Sequence, residues 1–507
     1  MELKDLRNEI DEIDKELVAL FAKRMSCAAS VAEYKRAHSL PILDKERENA
    51  LLKKVSSLSG EELAPYTRGL YEKIMELSRA YQRKLRAEER DYSYLNCGLI
   101  GEKLGHSFSV PIHNRLANYS FVLREVEKEK LGDFLRSDEL DAFCVTIPYK
   151  KDVIPYLEYV SPEAESIGAV NVVVRREGNK LYGYNTDYFG FEYMISSAGV
   201  DVKGKKAVVF GNGGASLTVC AVLRDKGIGK LVVIRSADNT PENLKKHSDA
   251  EIIVNATPVG MYPNNDASPA DLELFPNCKA VLDLIYNPAN TRLMQQALKR
   301  GIVAVGGLSM LVAQAAKGFE HFTGDPYEEG RIERIIDSIY RWSQNIILIG
   351  MPGSGKSSIG TLLAKEYGKD FFDADEEFSR MHGMTPANAI TKLGEEVFRD
   401  MESEVLCELG KKSGAVIATG GGAVTRERNY AYLHQNGVIL LIERELDKLA
   451  VDGRPLSQGN SLHDLYEKRK GFYDAFADLR ISNSSTPEAA LAAARQALDS
   501  YDYVKRS

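Results

Sequence analysis

Lys356 follows Gly350-Met351-Pro352-Gly353-Ser354-Gly355 and precedes Ser357 and Ser358, so the stretch satisfies G-x-x-x-x-G-K-[S/T] in full. An apolar run, Ile346–Ile349, leads in, and the helix-like "SSIGTLLAKEYG" leads out. That context predicts a phosphate cradle, with backbone N–H groups at the helix start meeting the phosphates and Lys356 neutralising them. Gly353, Ser354, Gly355, Lys356, Ser357 and Ser358 are the expected ATP contacts, and Ser357 is a ligand for Mg²⁺. Downstream, "FFDADEEF" spaces Asp373 and Asp375 as two strand residues facing one way. One carboxylate would sit behind the magnesium and the other on an acceptor hydroxyl. Arg399 and Arg469, with the glycines Gly420, Gly421 and Gly422, suit a small acceptor that carries a carboxylate.

A second chemistry lies earlier in the chain. "KKAVVFGNGGASLTVCAVL" reads as strand, tight turn and helix. There Gly211, Gly213, Gly214 and Ala215 would let a dinucleotide pyrophosphate approach the backbone. A glycine turn alone is a weak signature. The next strand, which ends at Arg235, strengthens it. An acidic residue at that point holds the ribose hydroxyl of NAD, whereas an arginine accommodates the 2′-phosphate of NADP(H). Upstream stand Lys150 in "VTIPYKK" and Asp187 in "GYNTDYFG". A ketone reduced by hydride needs a proton donor at its oxygen, and a lysine beside a carboxylate can be one.

The first 88 residues place charges inside an apolar seam. Leu3, Leu6, Ile10, Ile13, Leu17 and Leu20 step by three and four, and the next seam position is Arg24. Burying a cation there is costly unless something pairs with it. Lys35 lies about three turns on, on the same face. Asp44, Arg47 and Glu48 share a face of a second helix, as Ser78 and Gln82 do on a third. A first helix from about 2 to 37 would be roughly 50 Å long, too long for so small a domain to cover by itself. A second copy of the chain is the expected cover.

The elements that must hold these residues fall into three units. Residues 1–88 read as all-helical. Residues 92–342 alternate β-rich and helical runs, as in a two-lobed α/β domain with a Rossmann half at about 203–305. Ile332, Ile335, Ile336, Ile339 and Trp342 mark its closing helix. Residues 344–500 form a second β/α alternation behind the phosphate loop, a P-loop α/β kinase domain. The 507 residues carry a net charge of −7, which gives no reason to expect nucleic acid or a membrane as partner. Six scattered cysteines indicate neither a zinc site nor disulfides. The charged start is no signal peptide, and no apolar run reaches a membrane-spanning length. A cytoplasmic protein is expected.

The motifs resemble three enzyme families. Over about 85 residues the first unit is similar to the all-helical chorismate mutases, with Arg7, Arg24, Lys35, Asp44, Arg47, Glu48, Ser78 and Gln82 all at the family's positions. The resemblance implies rearrangement of chorismate to prephenate without a cofactor. Arginines would clamp the dicarboxylate, one of them Arg7 from the partner of a homodimer. Lys35 and Gln82 would stabilise charge on the breaking ether oxygen, and Glu48 would take the substrate hydroxyl. Over some 245 residues the middle unit resembles shikimate dehydrogenase, through "GHSFS" (Ser107, Ser109), Thr146, "GAVNVV" (Asn171), "NATPVGM", "DLIYNP" (Tyr286) and "GLSMLVAQA" (Gln314). By that resemblance Lys150 and Asp187 are the catalytic pair for 3-dehydroshikimate, and the others hold the substrate. The last 155 or so residues resemble shikimate kinase. Asp375 would contact the 3-hydroxyl of shikimate, Arg399 and Arg469 its carboxylate, and Arg454 would close a lid over the phosphates.

Three departures stand out. Cys144 replaces the asparagine of G-x-N-V-T, which takes an amide out of the pocket wall. Gly471 replaces a proline after Arg469, and the lid stretch around Arg454 is poor in bases. Together the resemblances imply a trifunctional enzyme using NADP(H), ATP and Mg²⁺. The alternative is a bifunctional dehydrogenase/kinase whose helical unit is a non-catalytic chorismate or prephenate sensor and dimeriser. Its signature would be loss of Lys35, Glu48 or Gln82, and all three stand.

Overall fold

The computed structural model describes residues 3–37, 45–88, 92–93, 95–105, 107–176, 179–449, 462–483 and 485–502. Helices α1 (Leu3–Ala37), α2 (Lys45–Leu58) and α3 (Gly60–Glu88) make up the first unit. α1 packs on α3, and α3 on α2. Ala28, Ala32, Leu52, Val55 and Met75 are buried between them, because the apolar stripes of the three helices meet there. The start of α1 has no such cover. Leu3, Leu6, Ile10, Ile13, Leu17 and Leu20 are between 40% and 64% exposed in the single chain. So long a bare apolar stripe is uncommon on a monomeric soluble protein.

The middle unit holds two sheets. The first comprises β1 (Asn96–Gly101), β2 (Ser120–Glu125), β3 (Ala142–Val145), β4 (Tyr159–Val160), β5 (Val172–Arg176) and β6 (Lys180–Tyr184). They run in the order β2-β1-β3-β5-β6-β4. β5 is antiparallel to both β3 and β6. The second comprises β7 (Lys206–Phe210), β8 (Lys230–Ile234), β9 (Ile252–Asn255), β10 (Ala280–Asp283) and β11 (Val303–Val305). It is parallel, in the order β11-β10-β9-β7-β8. Chain order reverses at β7, so the turn after β7 lies at the switch point where doubly wound sheets bind ligands.

The third unit is another parallel sheet: β12 (Asn345–Ile349), β13 (Asp370–Asp373), β14 (Ala415–Ala418), β15 (Gly437–Glu443) and β16 (Leu479–Ser482). Its order is β13-β14-β12-β15-β16, which puts the phosphate loop at the switch point after β12. Every residue of β12 is buried, as expected for a central strand covered on both faces.

The helix Arg331–Ser343 joins the two α/β units. Ile332, Ile335, Ile336 and Ile339 lie in one continuous apolar cluster reaching from Leu99 and Phe121 to Ile346 and Leu348. Trp342 departs from the expected seam: it is 48% exposed, edge-on to Phe108 at 5.4 Å. Tyr340 and Ser343 in the same turn are buried, so the packed face runs on through them and leaves Trp342 at its edge. A buried polar seam adds to the junction. Asn290 N donates to Gln435 O at 2.8 Å, Ala289 N to Asn436 Oδ1 at 2.8 Å, and Asn265 Nδ2 to Gln435 Oε1 at 2.7 Å. Among the described residues no helix is long and apolar enough to cross a membrane.

Candidate active sites

The phosphate loop turns from β12 into the helix Lys356–Tyr367. Gly355 sits at φ +96°, and a Cβ there would lie 2.3 Å from Asn483 Nδ2, so only glycine fits. Lys356 Nζ donates to Gly350 O at 2.9 Å and Met351 O at 3.0 Å, which folds the loop around its own ammonium. Ser354 is fully buried, and its Oγ has no hydrogen-bond partner among the described residues. This cradle fits a nucleotide phosphate. Ser357 Oγ donates to Asp373 Oδ2 at 2.6 Å, and this hydroxyl–carboxylate pair has the oxygen chemistry that would suit a magnesium ion.

Asp373 and Asp375 are not two residues of one strand, as the spacing suggested. Asp373 ends β13 and caps the helix Ala374–His382, accepting from Asp375 N, and Asp375 lies in that helix's first turn. The cap reorients the backbone, yet both line one cleft of about 440 Å³. Gly353, Gly355, Lys356, Ser357, Ser358, Arg399, Gly420, Gly421, Gly422 and Arg469 line it too. Arg399 is held by Glu402 at 2.7 Å and Glu395 at 3.1 Å. A Cβ on Gly422 would stand 2.2 Å from the Arg399 guanidinium, so the glycine run is what admits the arginine. Arg469 and Tyr473 both donate to Gly421 O, at 3.1 and 2.6 Å. Glu402 and Tyr473 were not singled out from sequence. Burial pushes the Glu402 carboxyl up, offset by Arg399 beside it. Arg454 lies outside the described residues.

In the middle unit, Lys150 Nζ lies 2.5 Å from Asp187 Oδ2. Asp187 opens the helix Asp187–Ser197, and its other oxygen accepts from Asn171 Nδ2 at 2.9 Å. That amide also reaches Thr186 Oγ1 at 3.1 Å and Gln314 Oε1 at 3.3 Å, so Asn171, Thr186, Asp187 and Gln314 form one buried network. Ser107 Oγ donates to Ser109 Oγ at 3.0 Å, and Phe108 between them packs on Tyr286 with ring centres 5.0 Å apart. Thr146 follows β3, at the end of the sheet from which the Lys150 turn leaves. Cys144 is buried, with its sulfur 3.8 Å from His113 Nε2. Burial, reinforced by Asp187, pushes its thiol up to about 12, so it stays protonated.

The coenzyme turn meets this site. The helix Gly214–Asp225 starts at Gly213 with no side-chain cap, leaving its first N–H groups for a pyrophosphate. A Cβ on Gly214 would lie 3.6 Å from Lys150 Cδ. The turn, which includes Ala215 at the helix start, therefore fits a dinucleotide held against the lysine. Arg235 is exposed at the end of β8.

In the helical unit, Arg24, Lys35, Arg47, Glu48, Ser78 and Gln82 line one pocket of about 240 Å³. Arg24 donates to Ser78 Oγ across α1 and α3. The pocket also contains Arg79, which sequence reasoning passed over. Arg7 is exposed and lies 17 residues, about 26 Å, along α1 from Arg24, outside this pocket. Asp44 lies outside the described residues.

A lysine–carboxylate pair against a dinucleotide turn, a phosphate loop over a carboxylate-binding cleft, and a cationic helical pocket define a multifunctional enzyme of three units. Comparison with known families agrees. Chorismate mutase type II matches residues 6–83, the shikimate dehydrogenase substrate binding domain residues 99–173, and shikimate kinase residues 352–499. The shikimate dehydrogenase (NADP(+)) of Clostridium beijerinckii is 41% identical over 243 residues, covering 44% of this chain and 90% of that protein. That of Methanosphaera stadtmanae is 37% identical over 258 residues, 45% of this chain and 90% of that protein. A crystal structure of a chorismate mutase/shikimate 5-dehydrogenase fusion protein from Clostridium acetobutylicum is 36% identical, covering 48% of this chain and 96% of its own, with a TM-score of 0.45. The chain belongs to the shikimate dehydrogenase family, with a chorismate mutase domain before that unit and a shikimate kinase domain after it.

Proposed function

We infer that the chain is a trifunctional enzyme of the shikimate pathway. It reduces 3-dehydroshikimate to shikimate, phosphorylates shikimate to shikimate 3-phosphate, and rearranges chorismate to prephenate. The observation that carries this is that each unit gathers a separate cluster of the residue types its reaction needs. The product of the middle unit is the acceptor of the third.

In the dehydrogenase unit, NADPH supplies the hydride when bound. Lys150 gives a proton to the ketone oxygen, and Asp187 holds the amine in place through the 2.5 Å contact. Asn171 fixes Asp187, while Ser107, Ser109, Thr146, Tyr286 and Gln314 hold the hydroxyls and carboxylate of the substrate. Arg235 faces the 2′-phosphate. Arg235→Asp is expected to lower kcat/KM with NADPH by roughly 10- to 100-fold, through loss of a charge-assisted contact and gain of a repulsive one, and to raise relative use of NADH. Initial rates with the two coenzymes check this.

In the kinase unit, ATP with Mg²⁺ supplies the phosphoryl group when bound. Lys356 and the helix start would hold the phosphates, and Ser357 and Asp373 would hold the metal. Asp375 accepts the proton of the attacking 3-hydroxyl. Arg399 and Arg469 fix the carboxylate, with Gly420, Gly421 and Gly422 as the floor, and Arg454 belongs to the lid.

In the mutase unit, Arg24 and the partner subunit's Arg7 clamp the dicarboxylate in its reactive conformer. Lys35 and Gln82 stabilise the ether oxygen as its bond breaks. Asp44, Arg47 and Ser78 complete the pocket, and Glu48 takes the hydroxyl. The unit is a homodimer through the bare stripe of α1. Chains carrying Arg7→Ala or Lys35→Ala should each lose mutase turnover. Mixing and re-dimerising them should restore about a quarter of wild-type activity, since half of the two-fold symmetric dimers hold one intact site. No recovery after proven subunit exchange counts against the shared site.

A further inference from the structure

Glu48 is the one carboxylate among the described residues lining the helical pocket, where Arg24, Lys35, Arg47 and Arg79 also stand. Its two oxygens are not shared among these cations. Both accept from one nitrogen of Arg79, at 2.6 Å each. The pair is part-buried and bridges α2 and α3, 31 residues apart in sequence. Arg79 lies between Ser78 and Gln82 on α3, so the helix that carries two pocket residues also carries the clamp on a third.

We propose that Arg79 is a positioning residue for the mutase reaction, acting through Glu48. This rests on the mutase reading of the helical unit. In a pocket with several cations, a single carboxylate on a flexible stem is drawn toward the groups that must receive the dicarboxylate substrate. A charge-assisted contact from one Arg79 nitrogen to both oxygens, made from the opposite helix, holds the carboxylate against that pull. Arg79 holds Glu48 where it can accept the substrate hydroxyl. Displacements of about 1 Å at such a group cost roughly 100-fold in rate.

The test is a kinetic cycle on the full-length chain with chorismate: wild type, Arg79→Ala, Arg79→Lys, Glu48→Gln and the Arg79→Ala/Glu48→Gln double variant. Thermal melts accompany each sample. Arg79→Ala is expected to lower kcat by roughly 10- to 100-fold with KM changed less than about threefold, and Arg79→Lys to recover most of the loss. In the Glu48→Gln background, removal of Arg79 should cost little more, because the group it positions is already gone. A rise in KM at unchanged kcat would mean that Arg79 binds a substrate carboxylate directly and would overturn the proposal. Multiplicative losses in the double variant, or a kcat unchanged by Arg79→Ala, would overturn it too. Wild-type protein that leaves chorismate unconsumed would remove the mutase reading and this proposal with it, an outcome distinct from an active enzyme indifferent to Arg79.

Discussion

Lys150→Met is expected to cut NADPH-dependent reduction of 3-dehydroshikimate by roughly 10²–10⁴-fold, the contribution of a positioned proton donor. The lysine and Asp187 side chains are 17% and 9% exposed, and their charges touch. Removing the amine leaves a mostly buried carboxylate held by the Asn171 amide, and an uncompensated buried charge destabilises by several kcal/mol. The single variant therefore loses chemistry and stability together. The Lys150→Met/Asp187→Asn double variant separates them: its melting temperature should return toward wild type while the reductase stays silent. Phosphorylation of added shikimate and formation of prephenate should stay within about twofold in both variants, as expected for distant sites. Retained reductase activity in a folded Lys150→Met sample would contradict the assignment.

Glu402→Ala should damage the kinase nearly as much by a different route. Glu402 is 4% exposed and pairs with Arg399 at 2.7 Å, while Arg399 keeps a second partner, Glu395, at its wetter end. Breaking a buried pair by deleting one member costs about 3–5 kcal/mol, and Glu395 should hold the loss to the lower end. The guanidinium, freed on one side, no longer faces the acceptor carboxylate squarely, so the KM for shikimate should rise by roughly tenfold or more, an effect of about 1.4 kcal/mol. Denaturant unfolding and initial rates against shikimate measure the two effects. Glu402→Gln, which keeps the volume and one hydrogen bond, should recover part of the stability and little of the affinity.

The phosphate loop and the coenzyme turn were legible because each rests on a local rule: glycine is needed where backbones crowd, and a helix start attracts phosphate. Lys150 and Asp187 lie 37 residues apart and were named through the set of motifs that resembles shikimate dehydrogenase, not through a local pattern. Glu402 was not legible. In "VFRDMESE" it stands three residues after Arg399, the spacing of an ordinary exposed helix pair, and only burial distinguishes the two cases. Arg79 was missed for a different reason: its partner Glu48 is on another helix, 31 residues away. Asp373 and Asp375 were expected on a strand because "FFD" is apolar and β-prone, but the aspartate's capping of the next helix won locally. The amide seam of Asn265, Asn290, Gln435 and Asn436 joins segments about 145–170 residues apart, and no short-range pattern announces it. The bare stripe of α1 was readable, because helix length alone shows that a lone domain cannot cover it.

The most direct test of the account is a single incubation of the purified chain with 3-dehydroshikimate, NADPH, ATP, Mg²⁺ and chorismate, with products identified by mass spectrometry. Shikimate 3-phosphate and prephenate should both appear. Shikimate that accumulates without its phosphate, or chorismate that persists unchanged, would contradict it.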